Sequence, residues 1–219
     1  MGAPPPGYVN YNTAQVGNIQ PSKGLSKAMI ILYWAATGAA GLLAVAAFMR
    51  KGTWDDLVSG NATLSDIDSA DSFVGVAAVL QILLVIASAI VTCLWSKRIA
   101  DNAVARGVTN VKPGMAAGGW FIPIGWFWLG FKELRKSGEG TRADVSALQR
   151  WQGFFIGQSV LGIVSRNFGN FDTNDSSDTI SAALRNQWMV ALVAAALYAA
   201  ATVFATKAAK SLDEGVSGA

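Results

Sequence analysis

Chemistry in this chain would have to come from a short roster of side chains. There is no histidine and only one cysteine, Cys93, so the commonest general base and a thiolate metal cluster are both missing. Cys93 lies in an apolar run and reads as a small inert hydrophobe. Inside the apolar runs the main polar groups are Gln81, Gln158 and Ser159, which suit hydrogen bonding between helices or the lining of a path for an uncharged solute. The stretch DTNDSSD at 172–178 has the carboxylates of a calcium loop but lacks its glycine and its closing glutamate, and reads as a solvated loop. No Asp, Glu, Lys or Arg falls inside an apolar run, where such groups mark ion paths and proton relays. The expectation is therefore no enzyme, no cofactor and no metal. The net charge of +3 is too small and too scattered for a nucleic-acid partner.

The elements that carry these groups are membrane helices. The chain has 219 residues, of which 52% are hydrophobic and only 14% charged, against about 25% charged in a soluble domain. The charges sit in short segments between long uncharged runs. This pattern predicts an all-α integral membrane protein with four transmembrane helices, over about 28–49, 73–95, 151–168 and 188–206. Residues 1–27, rich in Pro, Gly, Asn and Gln, read as a disordered tail, 50–71 as a polar loop and 207–219 as a second tail. The second helix is expected to run on through SKRIADNAVAR and stop at Gly107.

One stretch, GGWFIPIGWFWLGF at 118–131, is apolar enough for a membrane yet broken by Pro123. Basic residues concentrate in cytoplasmic loops, and this bias tests whether the stretch crosses. If it does not cross, only Arg50, Lys51, Arg166 and Arg185 of the 17 basic residues lie outside, and both termini are cytoplasmic. If it does cross, the 17 divide almost evenly and the bias vanishes. Tryptophans favour the headgroup region, and bare backbone around a proline is costly in hydrocarbon. Segment 114–131 is therefore expected to be re-entrant or interfacial. Trp120, Phe121, Pro123, Trp126, Phe127 and Trp128 would face the lipid interface, and Lys132, Arg135 and Lys136 would meet anionic headgroups on the cytoplasmic side.

Trp95, Arg98, Asn102 and Gly107, then Pro113-Gly114 and Trp120-Phe121-Ile122-Pro123, resemble a bacterial membrane family catalogued as domain of unknown function 4328. The likeness spans about 28–210 and is most specific over 95–137, with KELRKS at 132–137 as its basic element. Where the family carries a second proline before an aromatic, this chain has Gly130-Phe131. The resemblance implies a multi-pass protein of the bacterial cytoplasmic membrane and no particular reaction. It also suggests that Arg98 and Asn102, on one helix face, support the backbone of the proline-interrupted segment. Alanine pairs such as Ala36/Ala40 and Ala191/Ala195 allow close helix approach. The function expected is that of an accessory or scaffold subunit, packing against another membrane protein or against itself. The rival expectation is a small channel or carrier for lipid or an uncharged solute, lined by Gln81 and Gln158.

Overall fold

The computed structural model describes residues 18–122, 125–168 and 175–217. All regular structure among them is helical: α1 (Lys23–Val58), α2 (Leu64–Ala105), α3 (Pro113–Gly118), α4 (Leu129–Gly138), α5 (Val145–Phe168) and α6 (Ser177–Ser217), with a single 3-10 turn at Gly125–Phe127. Three of these helices, α1, α2 and α6, are long and apolar enough to cross a membrane. The segment over 151–168, expected as a fourth span, lies in α5 and is not among the three.

Helices α1, α2 and α6 are much longer than their apolar runs, which corrects the expected loop and tail. Nothing breaks α1 until Gly60, whose φ of +80° suits only glycine, so RKGTWDDLV is helical rather than loop. Lys51 pairs with Asp55 one turn on. Helix α2 opens almost at once, where the Asp66 carboxylate accepts the Thr63 N–H at 2.8 Å, half of a capping box. It closes as expected at Gly107 (φ +93°). There the Val108 and Gly107 amides reach back to the Ala103 and Val104 carbonyls in a Schellman arrangement. Residues 207–217, expected as a tail, continue α6 and bury Ala208, Ala209, Leu212 and Val216. At the other terminus, residues 1–17 lie outside the described residues, while Ser22 is fully buried.

The four long helices pack antiparallel in a row of backbone contacts, α2 on α1, α1 on α6 and α6 on α5, and Trp151 of α5 also reaches Tyr33 of α1 and Trp95 of α2. Arg50 meets Asp71 at one end of the α1–α2 pair, and Gln20 meets Asn102 at the other. Small residues let α1 and α6 approach closely, with Ala36, Ala201 and Ala205 buried and the Thr37 and Thr202 hydroxyls 2.8 Å apart. Ser22 on Asp213 ends that seam. Phe154 stacks flat on Phe204 across α5 and α6. The densest core lies where α1 and α5 begin and α2 and α6 end, around Tyr33, Trp95, Ile99, Trp151 and Leu212.

Candidate functional site

Segment 113–138 closes that same end of the row. Pro113 opens α3 at a position where a missing N–H costs nothing. The chain then turns through Trp120, and α4 returns beneath it. Trp120 is only 7% exposed. Its indole donates to the Ser96 hydroxyl of α2 at 3.2 Å and stacks on Trp151 of α5 with centroids 6.0 Å apart. Phe131 of α4 is fully buried and meets both Trp120 and Trp151 edge-on, each at 4.9 Å. Glycine is required at 130, where a Cβ would stand 2.4 Å from the Trp120 ring. The end of α2 and the start of α5 thus touch one indole and lie at one end of the molecule.

The expected lipid-facing residues divide into two groups. Trp120 does not face lipid; its N–H finds a buried hydroxyl and its ring fills the gap between α2 and α5, so packing outweighs the headgroup preference of tryptophan. Phe121, Ile122 and Trp128 are exposed by 66%, 42% and 48%, and Phe127 is half-buried. Pro123 lies outside the described residues, as does the side chain of Trp126. Lys132 is exposed and Arg135 partly so. Lys136 turns inward instead, its ammonium bonding Glu133 at 2.7 Å and the Asn110 carbonyl at 3.1 Å.

Asn102 holds a partner that the sequence does not indicate. It is 1% exposed and exchanges two hydrogen bonds with Gln20, accepting the backbone N–H at 2.9 Å and donating to the carbonyl at 2.8 Å. It therefore pins the stretch before α1. Sequence spacing places Asn102 on a helix face without saying which segments cover that face. Arg98 lies along the same approach, beside Gln20, Leu25 and Leu94. Gln81 and Gln158 stand on α2 and α5, whose backbones do not pack together. Gln81 Oε1 is buried without a hydrogen-bond partner, and Gln158 donates to its neighbour Ser159 at 3.0 Å.

Four supporting side chains carry no sequence signal specific enough to find them. Gln152 of α5 donates to the Phe127 carbonyl at 2.7 Å, the backbone support expected from Asn102. Glu133, 5% exposed, accepts the Lys112 N–H at 2.8 Å and so ties α4 to the start of α3. Asp213, also 5% exposed, accepts the Ser22 hydroxyl at 2.5 Å and the Trp95 indole at 3.2 Å. Arg106 donates to the Gly215 carbonyl at 2.8 Å, and burial holds its pKa below the usual guanidinium value. All four are polar residues, and solvated and buried polar groups look alike in sequence. Among the described residues no cluster of His, Cys, Asp and Glu could hold a metal ion.

Three apolar helices long enough for a bilayer, knitted at one end by an aromatic cap, define an α-helical protein of membrane type. More particularly, the chain belongs to the family described as Domain of unknown function (DUF4328), whose model matches residues 59–211. No curated protein and no solved structure matches it.

Proposed function

We propose that this protein is a non-enzymatic accessory or scaffold subunit of the bacterial cytoplasmic membrane, crossing it four times with both termini inside. The reading of α5 as a fourth crossing is supported by its antiparallel packing on α6 and by Trp120, which meets the end of α2 and the start of α5 together. Segment 114–131 then stays on the cytoplasmic side, with Phe121 and Trp128 in the interface and Lys132 and Arg135 at anionic headgroups. The observation that carries the scaffold reading is the outer face of α2. Packed mainly on α1, it leaves Val76, Val79, Leu83, Ile86 and Ile90 uncovered along one apolar face. Another membrane protein, or a second copy, would pack there through van der Waals contact.

The topology is tested with a single cysteine at Glu139, an exposed position beyond α4, in a Cys93→Ala background. It should react with an impermeant thiol reagent only after the inner face is opened, and labelling of intact cells would end the model. The scaffold role is tested by extracting the tagged protein in a mild detergent. A stoichiometric membrane partner or a homo-oligomer is expected, and a clean monomer would count against it. The unpartnered Gln81 Oε1 favours the second reading, a small channel or carrier. On that reading Gln81→Leu abolishes solute flux in liposomes while the fold is kept; on the scaffold reading there is no flux to lose.

A further inference from the structure

A cleft of about 290 Å³ opens between the stretch entering α1 and the last turns of α2, walled by Gln20, Leu25, Leu94, Lys97, Arg98 and Asp101. That is at the lower limit of small-molecule sites, about 300 Å³, and suits a headgroup rather than a whole metabolite. The cleft is built rather than incidental. Its Gln20 wall is held on both backbone groups by the buried Asn102 amide. Its cations are not equivalent: Lys97 is paired with Asp101 at 2.7 Å, whereas Arg98 has no ion pair or hydrogen bond among the described residues. The cleft therefore offers one open guanidinium, a planar fork that matches phosphate oxygens.

The walls are also ordered along the membrane normal. Leu94, 52% exposed, ends the uncovered apolar run of α2, and Arg98 follows one turn later, about 6 Å along the axis. Apolar contact below and a cation above match the step from acyl chain to phosphate in a glycerolipid. Asp101 would repel a second negative charge and can accept a hydrogen bond from a headgroup hydroxyl.

We propose that this cleft binds one anionic phospholipid with a single phosphate and a hydroxyl-bearing headgroup, of the phosphatidylglycerol kind. Arg98 takes the phosphate, Leu94 and Leu25 take the upper acyl chain, and Asn102 acts as a positioning residue by holding the Gln20 wall. The site rests on the reading of α2 as a span and needs no protein partner.

The test uses the full chain reconstituted in phosphatidylcholine vesicles with trace spin-labelled phosphatidylglycerol or spin-labelled phosphatidylcholine. The motionally restricted fraction of each gives the selectivity for the anionic lipid. Arg98→Gln should lower that selectivity about fivefold, the worth of one cation near a headgroup. Asp101→Asn, a change at a partly exposed position, should raise it by removing the opposing charge and releasing Lys97. Arg150→Gln, which alters a cation over Phe204 instead, should leave it alone. Unchanged selectivity in Arg98→Gln, or a fall in Asp101→Asn, would overturn the site while leaving the span reading intact. Absence of any restricted fraction, even for phosphatidylcholine, would overturn the span reading and the site with it. Displacement by inorganic phosphate, beyond that caused by sodium chloride of equal ionic strength, would assign the cleft to a soluble phosphate and overturn the lipid.

Discussion

At residue 130 a Cβ would lie 2.4, 2.6 and 2.8 Å from three atoms of the Trp120 indole, and that ring is itself wedged against Trp151. A large buried ring cannot step aside as a flexible chain end can. Gly130→Ala is expected to destabilise the fold by about 1–3 kcal/mol, the usual cost of overpacking. Gly153, also helical but with open space around it, supplies the contrast. Gly153→Ala should be neutral or stabilising by up to about 1 kcal/mol, since alanine is the better helix former. Thermal unfolding of both variants in detergent reads the difference, and equal midpoints would remove the wedge from the account. In the sequence the position stands out only as a glycine where the family resemblance implies a proline. Trp120 was misread for a related reason. Six aromatics within fourteen residues look like an interfacial belt, and only the fold tells the ring that faces inward from Phe121 and Trp128, which face out.

The helices themselves were legible wherever lipid would require them, because uncharged runs of about 20 residues have few alternatives. Their polar extensions were not. Hydropathy reports where a helix meets hydrocarbon and is silent on where the backbone stops. The stops are set by Gly60, Gly107 and Gly140, all at positive φ, and by local caps. One such cap is Asp144 at the start of α5, whose carboxylate accepts the Ser146 hydroxyl at 2.7 Å and the Ala147 N–H at 2.9 Å. These bonds, the Ser146 hydroxyl first, hold its pKa below the ordinary 3.8. The sign follows from linkage. A carboxyl depressed in the fold contributes fully above its unfolded value and loses that contribution as pH falls through the folded one. The Ala147 amide resonance in micelles should therefore shift with a midpoint below 3.8. It should be pH-independent there in Asp144→Asn, which can still cap. A midpoint at or above the ordinary value would mean that the cap does not form.

On the scale of the whole molecule, the distribution of basic residues is the signal that bears on topology. It leads to the expectation that 118–131 does not cross, while the contacts of Trp120 with Ser96 and Trp151 bring the end of α2 and the start of α5 together. What no count could supply was the order α2–α1–α6–α5, or the fact that Gln81 and Gln158 stand on helices that are not neighbours. Helix order depends on side-chain fit across long sequence separations. The hydrogen bond from Ser22 to Asp213 joins residues 191 apart.

That separation bears on how the protein is made. Tyr33, Trp95 and Trp151 emerge from the ribosome well before Asp213, Leu212 and Val216, which help to close the core around them. Until α6 is made, the nascent chain holds helices whose aromatic rings lack some of their final neighbours. This end is therefore complete only once the last turns of α6 are made, and an unfinished copy leaves its rings open. A chain stopped after Lys207 keeps the apolar run of α6 yet loses Ala208, Ala209, Leu212, Asp213 and Val216 from the core. It should insert normally and then be degraded several times faster in a pulse-chase experiment, the scale expected for a loss of a few kcal/mol. An equal half-life would show that the first five helices hold the core without the last three turns of α6.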